Sequence, residues 1–149
     1  MKRSFIMSFI KQLSLFVENT PGSISKVCSI LKDNNLSIST LSLADTSEFG
    51  ILRLLIKDSE KAAKVLTAAG FVVKTAEVLA LTVPNRAGGL SEIFDILDKH
   101  NLSVEYMYAF TAGNADKAII VFRFENPETA LKEISGESVQ LITSKELFA

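Results

Sequence analysis

Cysteine is nearly missing from this chain. Cys28 is the only one in 149 residues, so no intrachain disulfide can form and no set of thiolates is available for a metal. That usage fits a reducing compartment, and a cytoplasmic location is the expectation drawn from it. Histidine is just as scarce: His100 stands alone, at an expected helix end, and reads as a cap or solvated residue rather than a general base. Neither sign of charge dominates. Sixteen Lys and Arg oppose 17 Asp and Glu, for a formal net charge of −1. Nothing in that balance draws the protein to nucleic acid or to an anionic membrane. No apolar run approaches the ~20 residues that span a bilayer. The basic, then apolar start from Met1 to Ile10 is interrupted at Ser8 and stopped by Lys11 and Gln12. No cleavage site of small residues follows, so secretion is not expected.

Chemistry-bearing patterns are absent as well. There is no glycine-rich dinucleotide or phosphate loop, no metal-ligand spacing, and no nucleophile with its base and orienting group. Catalysis and a cofactor are therefore not expected. The segment Lys117 to Phe124 distantly resembles the aromatic strand of RNA-binding proteins. Its glycine and first ring are missing, and the first half of the chain offers Ile51-Leu52-Arg53-Leu54 instead, which argues against RNA as a partner.

What the chain does contain is itself, twice. Hydrophobic residues make up 48% and charged residues 22%, an ordinary globular balance. With an offset of 66, Val17-Glu18-Asn19-Thr20-Pro21-Gly22-Ser23-Ile24-Ser25 lies over Val83-Pro84-Asn85-Arg86-Ala87-Gly88-Gly89-Leu90-Ser91. Nine of the 22 positions from 17 to 38 are identical, where composition alone gives roughly one or two. The match resumes at an offset of 68, with Ile56 to Glu60 over Phe124 to Glu128. The two extra residues fall near Gly113 to Asp116, a turn sequence where insertion costs little.

Each copy reads alike. Leu13, Leu15 and Val17 alternate as a strand does, and Leu79, Leu81 and Val83 repeat them. Ile24, Val27, Cys28 and Leu31, matched by Leu90, Ile93, Phe94 and Leu97, recur at helical spacing, so Cys28 is expected in the core. Helix ends are expected at Asn34-Asn35 and His100-Asn101, because Asn tolerates the left-handed conformation. Second strands follow over 36–43 and 102–110, and third strands over 51–57 and 118–124. The turns between them are placed at Thr46 to Gly50 and Gly113 to Asp116. Asp58 and Asn126 are natural caps for a second helix. Fourth strands close each copy near Phe71 to Lys74 and Val139 to Ile142. Without Gly or Pro from Phe71 to Val83, the fourth strand runs straight into the next copy.

The order is β-α-β-β-α-β twice. The expectation is an α+β protein of two tandem ferredoxin-like units, each an antiparallel sheet with its helices on one face. The first unit is placed at residues 1–77, with a short N-terminal extension, and the second at 78–149. Leu52, Leu54 and Ile56, like Ile120, Phe122 and Phe124, are assigned to the helix side. Leu41, Leu43 and Met107 are assigned to the opposite face, which would then be apolar enough to ask for a cover.

The loop between the first strand and the first helix is where the copies agree best. A glycine there allows close approach to the backbone. The helix start beyond it offers unpaired N–H groups and a partial positive charge, which suit a carboxylate. Asn19 and Asn85 each add an amide. The same residues also make an ordinary turn and helix start with no ligand.

These two loops, Asn-x-Pro-Gly-x-Ile and Asn-x-Ala-Gly-Gly-Leu, resemble those of the ACT domain, over nearly the whole chain from about Ile10 to about Thr143. The resemblance implies a non-catalytic regulatory protein that binds a small amino acid, or a similar carboxylate, where ACT units meet. By position it implies Asn19, Pro21, Gly22, Ser23 and Ile24 as one half-site and Asn85, Ala87, Gly88, Gly89 and Leu90 as the other. The opposing wall would fall at Ile38, Ser39 and Thr40, and at Val104, Glu105 and Tyr106. Ala87 departs from the family's proline, and Arg86 replaces Thr20, so the two sites need not bind alike. A homodimer and a separate metabolic enzyme are the implied partners. The rival reading is a subunit that docks such an enzyme with its loops empty.

Overall fold

The computed structural model describes residues 8–45, 48–114 and 116–149. The start from Met1 to Met7 and the turn residues Thr46, Ser47 and Ala115 lie outside them. In chain order the elements are β1 (Ile10–Glu18), α1 (Ser23–Asp33), β2 (Thr40–Asp45), β3 (Phe49–Leu55), α2 (Ser59–Ala68) and β4 (Val72–Pro84). Then come α3 (Gly89–Lys99), β5 (Val104–Asn114), β6 (Lys117–Phe124), α4 (Pro127–Ile134), β7 (Leu141–Ile142) and the short α5 (Ser144–Leu147). The β-α-β-β-α-β order occurs twice, and the single long strand β4 ends one copy and begins the next. One compact unit comprises residues 11–76; the other comprises 77–149 together with residues 8–10.

In the first unit β3 lies between β1 and β2, antiparallel to both. Leu13, Leu15 and Val17 of β1 and Leu52 and Leu54 of β3 point to one face. There they meet Val27 and Leu31 of α1 and Ala62 and Leu66 of α2. The second unit repeats this. β6 lies between β4 and β5, and β7 adds to the other side of β4, all antiparallel. Leu79, Leu81, Phe122 and Phe124 pack on Ile93 and Leu97 of α3 and on Leu131 and Ile134 of α4. Phe122 sits 5.8 Å from Phe124 and 6.2 Å from Phe94 by ring centroid. The fold is thus α+β, with two antiparallel ferredoxin-like sheets, each carrying its helices on one face.

The helix ends follow from local chemistry. Asp58 accepts a hydrogen bond from the Lys61 amide, and Asn126 accepts one from the Thr129 amide, each capping the helix it precedes. Asn35 and Asn101 take φ of 57° and 54°, the left-handed turn expected of them. Behind that turn the Leu36 amide reaches back to the Leu31 carbonyl, and the Leu102 amide to that of Leu97, both at 2.9 Å.

Two expectations about faces are corrected. Leu41 pairs with Leu54 and Leu43 with Leu52, so both leucines lie on the helix side and not opposite to it. Met107, paired with Phe122, does too. Directly opposed residues share a face, and a strand read one residue out of register puts every side chain on the wrong one. Nor is Cys28 in the core: it is exposed. The buried stripe of α1 runs through Val27 and Leu31, with Ile24 and Ile30 packed beside it, and Cys28 lies past its edge.

Candidate functional site

The loops that leave β1 and β4 have nearly the same backbone. Gly22 takes φ 92° and ψ −13°, and Gly88 takes φ 83° and ψ −7°. Both lie in the left-handed region that L side chains avoid. Each glycine is the N-cap of the helix that follows, and neither helix start has a side-chain cap. The carbonyls of Gly22 and Gly88 accept from the amides of Lys26 and Glu92, both at 3.0 Å. One turn earlier, Ser23 N–H donates to Thr20 O and Gly89 N–H to Arg86 O. Asn19 N–H is tied to Glu48 O at 3.4 Å, and Asn85 N–H to Asp116 O at 2.9 Å. Each loop is therefore pinned to the turn that precedes the third strand of its own unit. The result in both units is a helix N-terminus that begins at a left-handed glycine, has no side-chain cap and carries a partial positive charge.

In the first unit this loop borders a cleft of about 180 Å³, lined by Val17, Asn19, Thr20, Ile24, Leu43 and Gly50 among others. Of the residues expected at the site, the fold brings Asn19 and Ile24 into it. Pro21 and Gly22 are exposed along the loop. The hydroxyls of Ser23 and Thr20 meet at 2.9 Å. Leu43 and Gly50 were not anticipated. Gly50 keeps the cleft open: a Cβ there would come within 3.1 Å of Leu43 Cδ1 and 3.3 Å of Val17 Cγ2. A glycine at the start of a third strand, where the second copy carries Ala118, was the available signal.

The second loop is drawn tighter. A Cβ on Gly89 would lie 1.9 Å from the Pro84 carbonyl oxygen, so only glycine fits where the first unit has Ser23. Arg86 pairs through Nη2 with Glu92 Oε1 at 2.6 Å on the following helix, and both side chains are exposed. Asn85, Ala87 and Leu90 are exposed around it. The two loops thus share a backbone and differ in chemistry.

Ile38 and Val104 are not brought to the loop of their own unit. Ile38 packs against the first core and borders a separate hollow of about 330 Å³ beside Asn35 and Lys32. Val104 opens β5 opposite Phe124 and packs against the second core. Thr40 is buried and Ser39 half-buried at the start of β2, while Glu105 is exposed and Tyr106 half-buried on β5.

His100 caps α3 and lies between two carboxylates, with Nδ1 3.0 Å from Glu133 and Nε2 2.8 Å from Glu137. Lys99 adds a third contact, 2.9 Å from Glu137. The hydrogen bond from Lys99, and then that from His100, holds the Glu137 carboxyl below its ordinary value. This cluster fastens α3 to the segment after α4 and lies apart from the loops in sequence and contacts. Among the described residues no three His, Cys, Asp or Glu side chains are grouped to hold a metal ion, and no helix is long and apolar enough to cross a membrane.

Three comparisons bear on this geometry. A family model described as an ACT domain pair matches residues 7–149. No curated protein matches the sequence. Among solved structures, a protein from Bacteroides thetaiotaomicron is 32% identical, with 95% of this chain and 96% of that one covered at a TM-score of 0.88. The ligand-free regulatory subunit of aspartate kinase from Thermus thermophilus shares the fold at 12% identity, covering 87% of this chain and 94% of that one, with a TM-score of 0.61. The same subunit from Thermus flavus does so at 15% identity, covering 85% and 90%, with a TM-score of 0.59. The duplicated β-α-β-β-α-β order, the paired glycine loops and a match over almost the full length place this chain in the ACT domain pair family.

Proposed function

We propose that this protein is a non-catalytic regulatory protein that binds a small amino acid, or a similar carboxylate, at the loop between β1 and α1. The observation that carries the reading is the uncapped helix start behind a left-handed glycine, built the same way in both units. In the first unit it opens beside a cleft with apolar walls at Val17, Ile24 and Leu43 and an amide at Asn19. Backbone N–H groups there suit the carboxylate, and the walls suit a small side chain. The aspartate kinase neighbours are regulatory subunits by name, which agrees with this role.

A second copy of the chain completes the site. β2 ends the strand order of its sheet and carries Leu41 and Leu43, which are 51% and 55% exposed. An edge strand with exposed leucines favours a neighbour that pairs with it. An ACT unit of the second chain would supply the opposing wall, so the working form is a cytoplasmic homodimer that acts on a separate metabolic enzyme. The ligand works by favouring one arrangement of the dimer over another.

Titration calorimetry with a panel of amino acids tests this. One small amino acid should bind saturably, and Asn19→Ala or Gly22→Val should abolish the heat. Flat titrations across the panel would leave only the docking-subunit reading, in which the exposed strand binds the enzyme directly.

A further inference from the structure

On another side of the first unit a second cleft, of about 410 Å³, lies between the start of α1 and the turn into β4. Phe16, Phe49, Phe71 and Val72 line it, with Lys26 and Glu18. Phe16 is 39%, Phe49 49% and Val72 58% exposed. Phe71 packs against the core and so contributes to the floor. Two ammonium groups border the rings: Lys26 Nζ is 5.4 Å from the Phe71 centroid, and Lys74 Nζ is 5.6 Å from that of Phe16.

The second unit has a cleft at the same place, and its lining is different. By the repeat offsets of 66 and 68, Phe16 becomes Thr82, Phe49 becomes Lys117 and Phe71 becomes Val139. Val72 becomes Gln140, Lys26 becomes Glu92 and Glu18 becomes Pro84. One backbone therefore carries both linings. Phe16 and Phe49 at these positions are not required by the fold, since Thr82 and Lys117 occupy them in the sister copy. Half-exposed rings leave apolar area in water, and such a patch marks a place where something binds.

We propose that this cleft binds a small aryl carboxylate, with its ring against Phe16 and Phe49 and its carboxylate toward Lys26. Three phenyl side chains offer offset and edge contacts to one more ring. Lys26 in the lining and Lys74 beside the Phe16 ring, against Glu18 alone, favour an anion over a cation. The cleft is within the size range of small-ligand sites. It shares Val17 and Glu18 with the loop cleft but not Asn19, Thr20 or Leu43, so the two sites can be separated by mutation.

The test uses the full chain and 3-phenylpropionate as the probe, followed by nitrogen-15 NMR titration. Saturable shifts at Phe16, Lys26, Phe49 and Val72 are expected. Acetate, which lacks the ring, should bind at least tenfold more weakly. Phe16→Thr with Phe49→Lys installs the sister copy's residues and should weaken the probe at least tenfold. Lys26→Glu, an exposed single change, should weaken it severalfold even if the double variant folds poorly. Asn19→Ala should leave it unchanged, which separates this site from the loop site. No saturation by about 10 mM, unchanged affinity in the Phe16→Thr/Phe49→Lys and Lys26→Glu variants, or a double variant that only changes a dimer into a monomer would each overturn the proposal.

Discussion

An added methyl group meets different surroundings at Gly22 and at Gly89, one residue further along the other loop. At Gly89 it would strike the Pro84 carbonyl, a backbone atom that cannot swing aside. At Gly22 it would meet nothing within 4 Å and would suffer only the left-handed φ. Gly22→Ala should therefore cost about 1–2 kcal/mol of stability, and Gly89→Ala about 3 kcal/mol, the upper end for overpacking. Urea midpoints of the two variants check the order. Glu137 makes a second residue-scale prediction. Its carboxyl is held below the ordinary value by Lys99 first and His100 second. A depressed carboxylate favours the folded state above its unfolded pKa, and that contribution disappears as the pH falls through the folded value. Lys99→Met should raise the Glu137 pKa further than His100→Gln does, as read by carbon-13 NMR of the carboxyl. The reverse order would put the histidine contact first.

Caps and registers belong to the scale of elements. Asp58→Ala and Asn126→Ala each remove a side-chain acceptor from an exposed first turn and should each cost about 1 kcal/mol in denaturant melts. Asn35 and Asn101 hold the turn that ends α1 and α3. Asn35→Gly should be tolerated, because glycine reaches the left-handed region without a Cβ penalty, whereas Asn35→Val should destabilise by at least about 1 kcal/mol. These positions were legible because the chemistry of a helix end involves only residues three or four apart. Strand registers were not. The alternation in β2 shows that Leu41 and Leu43 share a face, but both of the possible faces satisfy that pattern. Only pairing with Leu54 and Leu52 decides between them. The position of Cys28 fails for a similar reason. A helical stripe has two flanks, and the packing of α1 selects the flank that carries Ile24 and Ile30.

At the scale of the whole molecule, each unit rests on its own core. Leu54→Ala in one and Phe122→Ala in the other, both fully buried, should cost about 2–5 and 3–5 kcal/mol, and calorimetric melts of the two variants check those losses. The duplication, the element order, the core-facing positions of β1, β3, β4 and β6 and the glycines of both loops could be read from the chain alone. Periodic burial and helix termination depend on neighbours in sequence, and a repeat restates them. Tertiary structure alone decided which face Leu41 and Leu43 take, that Leu43 and Gly50 reach the Asn19 loop, and that His100 and Lys99 gather around Glu137. Each of those choices depends on contacts between residues nine or more positions apart, beyond the reach of a helical turn or a strand's alternation, and no local pattern in the chain encodes which side chain will arrive.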